Sequence, residues 1–161
     1  MQKTVIQAAR QQALEFLKYV NASPSPYHAT RQAIVRLTEA GFSEIREEES
    51  WIGRVRSGGK YFVSRGGSSV VAFTCGKKFN KDSSYFKLVG THTDSPCVRL
   101  APNSKMISEG YHMAYIQTYG GGLWHTWLDR DLILAGRVII KDPQGRLVHR
   151  LYASKGPVSS R

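Results

Sequence analysis

Between Phe86 and Pro96 the chain reads FKLVGTHTDSP, an apolar run that gives way at Gly90 to a histidine and an aspartate two residues apart, His92 and Asp94. A neutral imidazole suits zinc, and a nearby carboxylate can fix the tautomer of the ring and raise its basicity. Side chains alternate along an extended segment, so the spacing predicts that His92 and Asp94 point the same way. The ends of strands in open α/β sheets are also where active sites collect. Against this stands a plainer interpretation. A His-x-Asp pattern is short, and one ligand never defines a metal site. His92 would then be a hydrogen-bonded loop histidine, and Asp94 would cap the turn that Ser95-Pro96 begins.

A second segment, Tyr119 to Val138, reads YGGGLWHTWLDRDLILAGRV. Gly120 to Gly122 can follow a tight backbone path, and Trp124 and Trp127 suit a core or an interface. Asp129, Arg130 and Asp131 offer ion pairs that would brace this path, without a catalytic role. His125 is left out of the metal site. A third segment, NASPSPYHA at residues 21–29, stops one helix and starts another, and its job is structural.

In their order along the chain the three segments resemble the aspartyl aminopeptidase family, and the similarity runs from the first helix to about Tyr152. The resemblance implies a zinc-exopeptidase-like α/β fold, with residues 1–152 as the amino-terminal part of a metallopeptidase catalytic domain and residues 153–161 as a divergent tail. It implies hydrolysis that removes amino-terminal Asp or Glu from peptides, two zinc ions in the complete site, and a cytoplasmic homo-oligomer. It also implies that His92 is a metal ligand and that Asp94 supports the catalytic centre. The family's remaining ligands, a bridging aspartate, a glutamate pair and later Asp and His residues, lie downstream of His-x-Asp. Here the acids after Asp94 are Glu109, Asp129, Asp131 and Asp142, with no Glu-Glu pair. Glu47 to Glu49 precedes His92 and is expected to be a solvated loop. The chain is therefore expected to be inactive alone, as an incomplete catalytic domain of truncated, alternatively spliced or misassembled origin.

Helices come first and strands later. From Thr4 to Val20 the residues Ile6, Ala9, Ala13, Phe16, Leu17 and Val20 recur at helical spacing, which predicts an amphipathic helix docked through that stripe. Ser25 can cap a second helix with Pro26 at its first position, Ala29, Ala33, Ile34 and Leu37 form its buried stripe, and Gly41 ends it. Strands are expected at Tyr61 to Ser64 and Ser69 to Thr74 around a Gly66-Gly67 turn. Gly76 to Ser84 is expected to be an exposed loop. Further strands are expected at Tyr85 to Val89, Tyr111 to Thr118, Leu132 to Lys141 and Leu147 to Tyr152, the last two joined by a turn at Asp142 to Gly145. The fold class is thus mixed α/β, with helices packed on a sheet. His28, His112 and His149 fall at surface or strand positions.

The bulk properties bound the alternatives. A chain of 161 residues with 41% hydrophobic content can bury a core. Its net charge of +11 would attract nucleic acid if gathered on one face, but the basic residues are spread from Lys3 to Arg161 and no nucleic-acid motif accompanies them. Cys75 and Cys97 fit neither a disulfide framework nor a spaced zinc motif, which favours a reducing compartment. No apolar run reaches the roughly 20 residues of a membrane helix. Lys3 and Arg10 without an early acid faintly suggest a transit peptide, but the first helix explains them more simply. A competing function is a non-catalytic fragment that associates with full-length subunits through an exposed partial sheet.

Overall fold

The computed structural model describes residues 2–80, 82 and 85–159. Helix α1 spans Gln2–Asn21 without an interior glycine or proline. Helix α2 spans Pro26–Glu39, and both of its ends follow from local chemistry. At its start the extended residue Ser25 accepts the His28 N–H at 3.4 Å, and Pro26 sits where a missing N–H does no harm. At its end Gly41 takes φ +80°. The Gly41 N–H bonds the Thr38 carbonyl and the Phe42 N–H bonds that of Leu37, both at 3.0 Å, a Schellman closure. Lys60 then caps the exit, donating to the Ala40 carbonyl at 3.2 Å.

The chain forms two compact units, Met1–Thr93 with Ala135–Ala153, and Asp94–Leu134 with Ser154–Arg161. The first holds a mixed three-stranded sheet. Strand β1 (Ser43–Glu44) runs parallel to β2 (Lys60–Arg65), which pairs antiparallel with β3 (Ser69–Thr74). Gly66 and Gly67, with φ of +61° and +70°, make the turn, a conformation that costs glycine little. The core of this unit is small: Phe62, Ile45, Ala29 and Thr30 are buried. Beside the sheet, Glu47 holds Arg65 through two charged hydrogen bonds, and Glu49 pairs with Arg54. The glutamate run is thus exposed, as expected, and braces the loop after β1.

The same unit includes an antiparallel hairpin, β6 (Ala135–Lys141) and β7 (Leu147–Ala153). Its turn is organised by Asp142, whose carboxylate accepts the N–H of Gln144 and of Arg146, each at 2.9 Å, and the Arg146 Nε–H at 2.7 Å. These hydrogen bonds hold the Asp142 carboxyl below its ordinary pKa of 3.8. The hairpin meets α2 and the β2–β3 turn through Arg137, whose guanidinium lies 4.4 Å from the Tyr27 ring centroid and whose Nη1 donates to the Gly66 carbonyl at 3.0 Å.

The second unit is built on β4 (Cys97–Ser108) and β5 (Tyr111–Tyr119). Their antiparallel register shifts between Leu100 and Lys105. Pro102, which has no N–H to give a ladder, lies in that interval. A short 3₁₀ turn, Trp124–Trp127, follows, and Leu132 bridges to Ser159. No helix among the described residues is long and apolar enough to cross a membrane.

Several expectations change. Tyr85 to Val89 is not a strand of any sheet; the segment is open, with Phe86, Leu88 and Val89 exposed at 87%, 92% and 88%. An apolar run states that a strand can be buried, but pairing needs a neighbour, and no described strand lies against it. The stripe of α1 is not docked either: Ile6, Phe16, Leu17 and Val20 are exposed. In α2 the burial falls on Ala29 and Thr30, while Ala33, Ile34 and Leu37 are half-buried. The regular strand expected from Leu132 begins at Ala135. In the polar loop, residues 76–80 and Asp82 are accessible as expected, while Lys81, Ser83 and Ser84 lie outside the described residues, as do Ser160 and Arg161 in the tail.

Candidate functional site

The apolar segment delivers His92 to the end of the first unit, where its side chain is exposed. Thr93 and Asp94 lie in a bend, so the alternation of an extended strand does not carry through from one candidate to the other. Asp94 opens the second unit, and its side chain is only 11% exposed. What surrounds it there is an arginine absent from the sequence-based site. Arg99 Nη2 lies 4.0 Å from Asp94 Oδ2, and the Arg99 guanidinium stands 3.4 Å from the centroid of the Tyr119 ring.

This arrangement follows from the hairpin. Cys97 and Tyr119 are register partners at the open end of β4 and β5, and Arg99 pairs with Gln117 two residues further in. The Tyr119 ring is thereby brought within reach of a guanidinium one pleat away. Gly120 then turns back with φ +83°, close enough to Pro96 that an added Cβ would come within 3.3 Å of the proline ring. The segment Asp94 to Pro96 is thus held against the start of the second glycine-rich motif. Gly122 packs under Trp124, with space of only 3.2 Å for a Cβ, and Trp124 and Trp127 tilt together at 6.2 Å.

Other sequence candidates fare differently. His125 is exposed in the 3₁₀ turn, and its carbonyl accepts the Leu128 N–H at 3.3 Å. Asp129 takes φ +58°, and none of Asp129, Arg130 and Asp131 forms an ion pair among the described residues, which corrects the expected bracing role. A sharp change of backbone direction, with glycines before it, needs no charge pair to hold it. His28 lies half-buried on α2, 2.7 Å from Ser25 Oγ through Nδ1, and burial lowers its pKa below 6.5. Arg99 lies on β4 (Cys97–Ser108), a strand outside the sequence-based expectations.

A zinc site needs three or more imidazole, thiolate or carboxylate ligands converging on one point. Among the described residues no three His, Cys, Asp or Glu side chains come together in that way, so these residues do not make a zinc site by themselves.

Comparison with known proteins gives the class. The profile of the aminopeptidase I zinc metalloprotease (M18) family matches residues 19–160, and the chain belongs to that family. An aspartyl aminopeptidase of Aspergillus oryzae is 44% identical over 158 residues, covering 98% of this chain and 32% of the relative. Aspartyl aminopeptidase 1 of Schizosaccharomyces pombe is 45% identical over 140 residues, 87% of this chain and 29% of the relative. Among solved structures, one described as the cryo-EM structure of the Ape4 and Nbr1 complex superposes with a TM-score of 0.87 at 42% identity, over 93% of this chain and 28% of that one. The mApe1 dodecamer of S. cerevisiae superposes with a TM-score of 0.80 at 30% identity, over 92% of this chain and 34% of that one. The chain thus spans about a third of the length of these relatives.

Proposed function

We propose that residues 1–152 form the amino-terminal part of the catalytic domain of an aspartyl aminopeptidase, a zinc-dependent enzyme that removes amino-terminal Asp or Glu from peptides. The observation that carries this reading is the identity of 44% across 98% of the chain with the A. oryzae aspartyl aminopeptidase. In this reading His92 is one zinc ligand and Asp94 supports the catalytic centre, with Arg99 holding the Asp94 carboxylate in place. The other ligands belong to the longer family polypeptide, and this chain alone does not turn over substrate. Assembly into a homo-oligomer is supported by the dodecameric relative from S. cerevisiae. A cytoplasmic setting is supported by two free cysteines, Cys75 and Cys97.

The test is elemental zinc analysis of the purified chain, together with hydrolysis of a chromogenic aspartyl substrate with and without a chelator. Substoichiometric zinc and no turnover are expected. Stoichiometric zinc with chelator-sensitive turnover would show that the described residues suffice after all.

A second reading is favoured by the open segment at Phe86 to Val89: a non-catalytic fragment that associates with full-length subunits. An exposed apolar segment that belongs to no sheet invites pairing with another chain. Co-elution with a full-length aspartyl aminopeptidase on size exclusion supports it, and separate elution at micromolar concentration argues against it.

A further inference from the structure

We propose that the first unit carries a binding site for a small organic anion, a phosphate monoester or carboxylate on an apolar body, in the cleft between α2, the β2–β3 turn and the β6–β7 hairpin. The cleft measures about 350 Å³, within the range of small-molecule sites. Its cationic lining comes from Arg31, Arg137 and Arg150, and none of the three has a carboxylate partner among the described residues. Arg137 is already oriented, stacked 4.4 Å from the Tyr27 ring centroid and bonded to the Gly66 carbonyl through Nη1. That leaves further N–H donors of a rigid fork, the geometry that matches a carboxylate or phosphate.

Two more features give the cleft a shape beyond charge. Ile34, Leu151 and the Tyr27 ring supply an apolar wall. Thr30, 1% exposed, lines it as well, and its Oγ1 has no hydrogen-bond partner. A buried hydroxyl in that state retains the cost of leaving water. An anion with an apolar body therefore meets three features at once: guanidiniums without a carboxylate partner, a hydroxyl without a hydrogen-bond partner and an apolar wall. A long polyanion would use only the first.

The test is calorimetric titration of the whole chain at about 0.15 M salt, where exposed charges are screened beyond roughly 8 Å. Phenyl phosphate and inorganic phosphate are compared, with 2-phenylethanol as the uncharged control. Phenyl phosphate is expected to bind saturably, at least about tenfold tighter than inorganic phosphate, and the R31Q/R150Q double variant to lose about tenfold or more. Both arginines are exposed, so the thermal midpoint of that variant stays unchanged. Thr30→Val, which removes the hydroxyl and keeps the shape, is expected to weaken phenyl phosphate about threefold without unfolding the chain. Binding that fails to saturate, equal affinity for inorganic phosphate, or full affinity in the folded double variant would overturn the proposal.

Discussion

Arg99 covers the Tyr119 ring at 3.4 Å from its centroid while reaching Asp94 at 4.0 Å, so one side chain ties the first acidic candidate to the end of β5. The ring attracts the cation, and the arginine's planar guanidinium can face the ring and the carboxylate together. Arg99→Ala is expected to lower the stability of the second unit by about 1 kcal/mol, since the arginine is half-exposed. Arg99→Lys should recover part of that loss but not the stacking. Thermal unfolding followed through Tyr119 ring resonances checks it: an unchanged ring shift in Arg99→Ala would show that the guanidinium does not sit on the ring in solution.

The close approach of Gly120 to Pro96 gives a second expectation. With φ +83° and 3.3 Å to the proline, any side chain at Gly120 is strained by backbone and by space together. Gly120→Ala should cost about 1–3 kcal/mol. Gly136 is a useful comparison, because nothing lies within 4 Å of its added Cβ and its φ is not positive. Gly136→Ala should be neutral or slightly stabilising, as a strand position loses less entropy without glycine. Equal melting shifts for the two variants would argue against a packed Pro96–Gly120 contact.

How much of this was legible beforehand varies with the range of the interactions involved. The α2 cap, the Gly41 stop, the Gly66-Gly67 turn and the Asp142 turn are each decided within a few residues, and each appears where the sequence placed it. Burial was not legible in the same way. The stripe on α1 and the run at Tyr85 to Val89 have the pattern of buried elements, yet both stand exposed, because burial needs a partner that periodicity does not name. In the candidate site His92 and Asp94 were readable as residue types. Arg99 and Tyr119 were not readable as their neighbours, because their meeting depends on the register of a hairpin whose first strand carries a proline.

Titration of His28 offers a prediction with a definite sign. Its folded pKa lies below 6.5 because burial disfavours the charged ring. The unfolded chain therefore takes up the proton first as pH falls. The stabilising contribution is complete above about pH 6.5 and is lost as the pH falls through the lower folded pKa. His28→Gln should flatten that part of the stability profile. A profile between pH 5 and 7 identical in both proteins, by urea unfolding, would mean that the ring titrates normally.

The open segment before His92 leads to the last prediction, about association. Leu88 and Val89 are exposed at 92% and 88%, and Phe86 at 87%, so three apolar side chains face water in a stretch outside any sheet. Such a segment lowers its free energy by pairing with another edge, whether on a second copy or on a longer relative. Leu88→Lys removes apolar surface and adds charge without touching the buried core of Phe62, Ile45 and Ala29. The variant should therefore keep its thermal midpoint while the self-association of the chain, followed by light scattering against concentration, falls several-fold. If scattering is unchanged, the association surface lies elsewhere, and the exposed stripe of α1, with Ile6, Phe16 and Leu17, is the next segment to substitute.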